Sequence, residues 1–364
     1  RDDGSTFALD GKGYYGCGAD INFKTTSDWW SYEAQFDSWE QVAAIPGRSR
    51  QYASAFASDE FGYLIGGILD AGSFSNQVFK YDPKTNSWEE LEAAPFEGRA
   101  KATGFRLGDY YYFGTGISDS VILNDFWQFN WKSETWRQLD SLPFSPHFDM
   151  IAFSAKSKGY LLLGEDFVGK YQSVWQFDPI SESWTQLMDY PGLARTYASA
   201  VAEPGGAVVA GGMDVSGNLL SESYHFDVGT LEWKRLPDLT LGKGRGLEGF
   251  RIGSSIYFVG GLTENFTRLN AVQRLRYNDE RNAFDFEIWP IPARDELWIS
   301  CELGLNRTLT IEIYGFNGQI ETTLRLYNSS QLKNIDVRGL PNGLHLMKLY
   351  GDDLLVVKRF MVLN

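Results

Sequence analysis

Six ionisable residues recur at near-regular intervals along this chain: Arg1, Arg50, Arg99, His147, Arg195 and Arg245, each 15 to 17 positions ahead of a glycine-rich phrase. A guanidinium is a planar fork of donors that grips carboxylates and sulfates in pairs of hydrogen bonds. If the repeats close into a ring, equivalent positions stand equally far from its axis. The six side chains would then crown one end of a central channel as a cationic patch on an acidic protein. Such a patch suits a carboxylated or sulfated glycan, or an acidic protein loop. The competing expectation is that each arginine caps a strand or pairs with a neighbouring acid such as Asp59, Glu97 or Glu248.

Other chemistry is sparse. The three histidines, His147, His225 and His345, are scattered, so no metal cluster is expected, and no cofactor. There is no Gly-x-Ser-x-Gly elbow, phosphate loop or His-Glu-x-x-His pair. The formal charge is −14, and residues 285–364 carry only −2 of it, leaving about −12 on the rest. Nucleic acid is therefore excluded as a partner, because phosphate contacts need a basic face. No stretch approaches the length of a membrane span. Cys17 and Cys301 are too few and too far apart for a disulfide framework, so two buried thiols are expected. The chain starts at Arg1, and no signal peptide is visible. Export would require a leader already removed, or residues upstream.

The elements that must position the arginines follow from an internal repeat. Trp39, Trp88, Trp136, Trp184 and Trp233 are spaced by 49, 48, 48 and 49 residues. An apolar run ending in small residues keeps the same step: Gly16, Gly66-Gly67, Gly114, Gly164, Gly211-Gly212 and Gly260-Gly261. Twelve Trp, 19 Tyr, 25 Phe and 38 Gly suit short twisted strands and tight turns, and no 3.6-residue period runs for long. Each module reads as four strands with two apolar faces. Such a sheet hides its faces only by stacking against others around an axis, with the Trp rings filling the wedges.

The apolar run, paired glycine, Tyr-Asp and Trp at this period resemble the kelch repeat. The resemblance implies an all-β, six-bladed kelch-type β-propeller over residues 1–284. Its departures are Gly114-Thr115-Gly116, Gly164-Glu165 and Phe284 in place of the sixth Trp. Closure of the last blade is open between upstream residues, which are favoured, and residues 283–288. Metal-free sialic-acid mutarotases use the same ring with acid and arginine groups at the mouth, and Arg245 with Glu248 is the nearest imitation here. A sugar isomerase of that kind is the alternative to a non-enzymatic binding, adhesion or gliding-related module.

From residue 285 the pattern changes to alternating apolar residues with turns at 316–318, 341–343 and 351–353, which predicts an Ig-like β-sandwich over 285–364. The phrases Pro290-Ile291-Pro292-Ala293, "IYGFNGQ", "IDVRGLPNGLHLMKL" and "KRFMVLN" resemble the C-terminal sorting domain of type IX secretion cargo. Ile291 and Leu344-His345 depart from the usual motif. The resemblance implies export across the outer membrane to the cell surface or beyond. The implied partners are the translocon and its outer-membrane shuttle barrel. The residues implied in recognition are Gly339, Leu340, Pro341, Gly343, Lys358, Arg359, Phe360, Val362 and Leu363. Asp119-Ser120-Val121 and Asp140-Ser141-Leu142 resemble a short O-glycosylation motif, which would modify Ser120 and Ser141.

Overall fold

The computed structural model describes residues 1–269, 271–276, 286–289, 293–301, 308–315, 318–327, 333–351 and 354–363. No helix occurs among them, so none crosses a membrane. The chain divides into two compact units, Arg1–Arg276 and Tyr277–Asn364. The expected boundary at 284/285 and Phe284 lie outside the described residues.

The first unit holds five four-stranded antiparallel sheets and a sixth with three described strands. Blade 1 comprises Ser5–Leu9, Lys12–Gly16, Trp29–Glu33 and Ser38–Val42. The remaining blades begin with Ser54–Ala57, Thr103–Leu107, Ile151–Ala155, Ser199–Glu203 and Glu248–Ile252. Each of these first strands packs beside the next, and Glu248–Ile252 packs beside Ser5–Leu9, so the order of contacts is cyclic. The alternative in which residues 283–288 complete blade 6 fails for its described part. Phe286–Trp289 pairs with Glu296–Cys301, in the second unit.

The core lies between blades, because the two faces of a sheet can be buried only against its neighbours. Phe7 and Trp29 of blade 1 share a cluster with Leu64 and Phe79 of blade 2, and Tyr32 of blade 1 shares another with Phe250 and Tyr257 of blade 6. The repeated tryptophans are half-buried wedges. Trp88 lies 5.0 Å from the ring of Trp29 in the preceding blade and donates to the Ala43 carbonyl at 2.8 Å. Glycine is required where second strands receive a phenylalanine from the previous blade. A Cβ on Gly62 would fall 2.3 Å from the Phe7 ring, and one on Gly159 would fall 1.9 Å from Phe105.

The paired-glycine reading needs correction in three blades. The two consecutive left-handed residues are Cys17-Gly18, Gly66-Gly67, Thr115-Gly116, Leu163-Gly164, Gly211-Gly212 and Gly260-Gly261. Only the second position is always glycine. In blades 1, 2, 3, 5 and 6 its amide donates to the carbonyl at the start of the next blade, as Gly67 does to Arg99 at 2.8 Å and Gly261 to Arg1 at 2.9 Å. That bond between blades fixes the backbone where Cys17 and Thr115 adopt the left-handed geometry that glycine takes without strain, a geometry Leu163 also adopts.

The second unit is a sandwich of two sheets. Phe286–Trp289, Glu296–Cys301 and Lys333–Asp336 form one; Ile320–Tyr327, Thr308–Tyr314, Gly343–Gly351 and Leu354–Val362 form the other, in that order. Leu297, Ile335 and Val337 from the first meet Ile311, Ile313, Met347, Leu349, Phe360 and Val362 from the second in one core. Cys17 is a buried free thiol whose ionisation burial pushes up to about 12. The expectation for the Cys301 side chain falls outside what is described.

Candidate functional site

The arginine series does not form a crown. Arg50, Arg99 and Arg195 are 0%, 1% and 0% exposed. Each reaches from the start of its blade to the carbonyl of the first left-handed residue: Arg50 to Gly66 at 2.9 Å, Arg99 to Thr115 at 3.2 Å and Arg195 to Gly211 at 3.0 Å. Each also meets a side chain at the start of its third strand. Arg99 holds Asp125 through two bonds of 2.6 and 2.7 Å, Arg195 holds Glu222 at 2.6 Å and Arg50 holds Gln77 at 2.8 Å. Arg1 does the same with the Cys17 carbonyl and Asp28. Burial would raise the Asp125 carboxyl, but the Arg99 bonds hold it below the ordinary range. These arginines brace the blades, so pairing with acids is the correct expectation in kind. The partners are Asp28, Asp125 and Glu222, whereas Asp59 binds Arg106.

In blade 4 the brace is absent. His147 is buried and stacked 3.9 Å from Tyr171, and both its nitrogens, Ser173 Oγ and Trp175 Nε1 lack hydrogen-bond partners among the described residues. Arg245 is displaced by one residue from the series. Gly244 pairs with Thr263 as Arg195 pairs with Asp214, so Gly244 occupies the brace position. Successive strand residues face opposite ways, and Arg245 therefore turns towards the axis.

The residues that do converge stand two positions beyond the braces: Asp3, Tyr52, Lys101, Asp149, Tyr197 and, beyond Gly244, Gly246. All six have left-handed backbones, with φ between 53° and 62°. Their amides and carbonyls link blade to blade: Tyr52 to Asp3 at 3.1 Å, Lys101 to Tyr52 at 3.1 Å, Asp149 to Lys101 at 3.0 Å, Gly246 to Tyr197 at 3.0 Å and Asp3 to Gly246 at 3.3 Å. This conformation throws the side chains into a cavity of about 220 Å³. Behind this first tier, at the same period, lie Ser5, Ser54, Thr103, Ile151, Ser199 and Glu248.

The first tier is a charged network. Lys101 Nζ donates to the Tyr197 hydroxyl at 2.6 Å and lies 3.3 Å from Asp149, over the rings of Tyr52 and Tyr197. Burial alone would lower this ammonium, but Asp149 and Tyr197 more than offset it and hold it protonated. Arg245 lies 3.7 Å from Asp3 and over the Tyr197 ring. Asp3 is only 6% exposed. Burial, then the nearby Asp2 charge, pushes its carboxyl up to about 7 in spite of Arg245. Among the described residues Glu248 has no cation partner. Burial, then Asp3 and Asp149, pushes it up to about 8. Two carboxyls thus change charge near neutrality beside a fixed guanidinium, an arrangement capable of holding a polar ligand and of moving a proton. Among the described residues, no group of three His, Cys, Asp or Glu is placed to bind a metal.

In the second unit the residues expected to be recognised divide by burial. Leu340, Phe360 and Val362 are core residues at 7%, 1% and 0% exposure, while Gly339, Pro341, Arg359 and Leu363 are exposed. Phe360 and Val362 fix the last strand in the sandwich and cannot reach a receptor from the folded domain. That strand is also less open than an ordinary edge, since Ala293 donates to Met361 at 2.8 Å and accepts from Leu363 at 2.9 Å. Ser120 and Ser141 are exposed.

Comparison with known families matches a kelch motif at residues 63–93 and a secretion system C-terminal sorting domain at residues 287–363. The chain is a kelch-type propeller with a type IX sorting domain. It is secretion cargo. Among solved structures, one titled "Structure of YjhT" superposes with a TM-score of 0.67 at 18% identity, covering 76% of this chain and 95% of that one. With 559 solved chains matching, likeness to one of them identifies the architecture and not an activity. No curated protein matches the chain. The axial tier of the kelch propeller could have been found in the sequence only by stepping its 48–49-residue period from every position, since Asp, Tyr, Lys and Gly share no chemistry that marks them as a series.

Proposed function

We propose that the propeller is the binding module of an exported cell-surface protein, acting in adhesion, including adhesion during gliding. It engages its partner through the face where the loops joining second and third strands surround the axial cavity. The carrying observation is on those loops. Phe23, Phe167, Val168, Val215 and Phe266 project into solvent at 69%, 66%, 92%, 67% and 73% exposure, from four different blades. Large apolar side chains gathered around one mouth favour an interaction surface over a merely soluble one. The loops are also pre-shaped. Asp20, Asp166 and Asp214 each accept two backbone amides within their own turn, which reduces the ordering cost of binding. Delivery to the surface is by the sorting domain, through the translocon and its shuttle barrel, with Gly339, Pro341, Arg359 and Leu363 as the accessible determinants.

The test replaces Phe23, Phe167, Val168 and Phe266 by Ser in the full chain and measures retention of purified protein on cells lacking it. Retention should fall about tenfold, the effect of roughly 1.4 kcal/mol lost, with export unchanged. Wild-type retention would contradict the reading.

A sugar isomerase is a second reading, favoured by Asp3 near 7 and Glu248 near 8 beside Arg245. Carboxyls in that range serve as acid and base at neutral pH. Exchange between the anomers of a sugar, followed by proton magnetic resonance, should be accelerated by the wild type and not by Asp3→Asn with Glu248→Gln. No acceleration by the wild type would dismiss it.

A further inference from the structure

We infer that the axial chamber is a site for one uncharged, polyhydroxylated unit, held by Thr103, Ser199 and Glu248. The second tier is a ring of small side chains, and its free polar groups are few and specific. Ser5 Oγ donates to the Ala53 carbonyl at 2.8 Å, and Ser54 is bonded to the Tyr111 hydroxyl at 2.7 Å. The hydroxyls of Thr103 and Ser199 have no protein partner among the described residues and line the cavity. Buried donors of this kind are normally satisfied, so a ligand oxygen has a place prepared for it.

Charge narrows the class. A carboxylated or sulfated ligand meets Asp3, Asp149 and Glu248, while the nearby cations Arg245 and Lys101 are already paired with Asp3 and Asp149. An ammonium ligand meets Lys101 and Arg245, whose attachments to Asp149 and Asp3 it would have to break. An uncharged ligand incurs neither cost. Glu248, pushed up to about 8, is neutral at pH 6 and both donates and accepts, as a hydroxyl partner requires. Tyr52 and Tyr197, 6.3 Å apart, give apolar ring faces at the entrance. The volume of about 220 Å³ is smaller than a drug-sized site and limits occupancy to a single unit. The inference concerns the chamber alone and stands or falls independently of the apolar loops.

The experiment is calorimetry on the full chain at pH 6 with glucose, galactose, N-acetylglucosamine, sorbitol, glucuronate and glucosamine. At least one neutral compound should bind with a Kd in roughly the millimolar range, as expected for few contacts. Glucuronate and glucosamine should bind about tenfold more weakly. Sorbitol binding as well as the rings identifies an open-chain polyol, and ring-only binding a pyranose; both support the assignment. Thr103→Val with Ser199→Ala, a change small enough to fold, should weaken binding about tenfold, each lost hydrogen bond contributing about threefold. Absence of binding by every neutral compound, tighter binding of glucuronate, or affinity unchanged in the double variant would overturn it. The loop variants described above should bind these compounds as the wild type does.

Discussion

Glu248→Gln should make the propeller more stable at alkaline pH and leave it nearly unchanged in acid. The carboxyl ordinarily titrates near 4.5 and is pushed up to about 8 in the folded chain, by burial first and by Asp3 and Asp149 next. Between those values the folded state keeps a proton that the unfolded state has lost. Stability therefore falls as pH rises, by about 1.4 kcal/mol per pH unit, and the loss is complete once the folded group ionises. Across the window this amounts to on the order of 5 kcal/mol, an upper figure because water entering the cavity relieves part of it. Glutamine has the shape of the protonated acid and no charge to bury. Urea unfolding followed by tryptophan fluorescence, at intervals from pH 4.5 to 9, gives the difference between wild type and variant. The difference should be small near pH 4.5, grow steadily to about pH 8 and then level off. Parallel curves across that range would show that Glu248 ionises freely, and the account of a buried acid at the axis would be wrong.

Trp88→Ala removes a ring packed on Trp29 and Tyr81 together with its bond to Ala43, and should cost about 3 kcal/mol in equilibrium unfolding. Gly62→Ala places a methyl 2.3 Å from the Phe7 ring, so the same assay should show a loss of roughly 1–3 kcal/mol from overpacking. Removing residues 287–363 deletes the matched sorting domain and should leave the propeller in the periplasm, as judged by immunoblots of cell fractions.

The architecture was legible because a 48–49-residue period survives changes in any single residue, and because five Trp mark the same outer strand. The tail was legible from alternation and turn residues. Details set by the ring as a whole were not. The left-handed pairs of blades 1, 3 and 4 fall at Cys17-Gly18, Thr115-Gly116 and Leu163-Gly164, and in blades 1 and 3 bonding to the next blade imposes a conformation that local preference opposes. The arginine series attracted a ligand-binding reading because a repeated charge looks deliberate. Repetition here reflects a repeated structural need, the carbonyl of a left-handed residue and a carboxylate or amide oxygen beside it. Arg245 escaped that role by a shift of one residue and pairs instead with Asp3 of the axial tier. The axial tier, by contrast, varies from blade to blade, which is what an asymmetric ligand requires and what conceals it from a search for repeats.

The division of labour between the two series can be tested without knowing any ligand. Native full-length protein treated with phenylglyoxal, with each arginine then followed by peptide mass spectrometry, should show Arg48, Arg137 and Arg235 modified, since their side chains are 45–53% exposed. Arg50, Arg99 and Arg195 should stay unmodified until the propeller unfolds. Modification of those three at the rate of Arg48 would place them at an open mouth and contradict their assignment as braces.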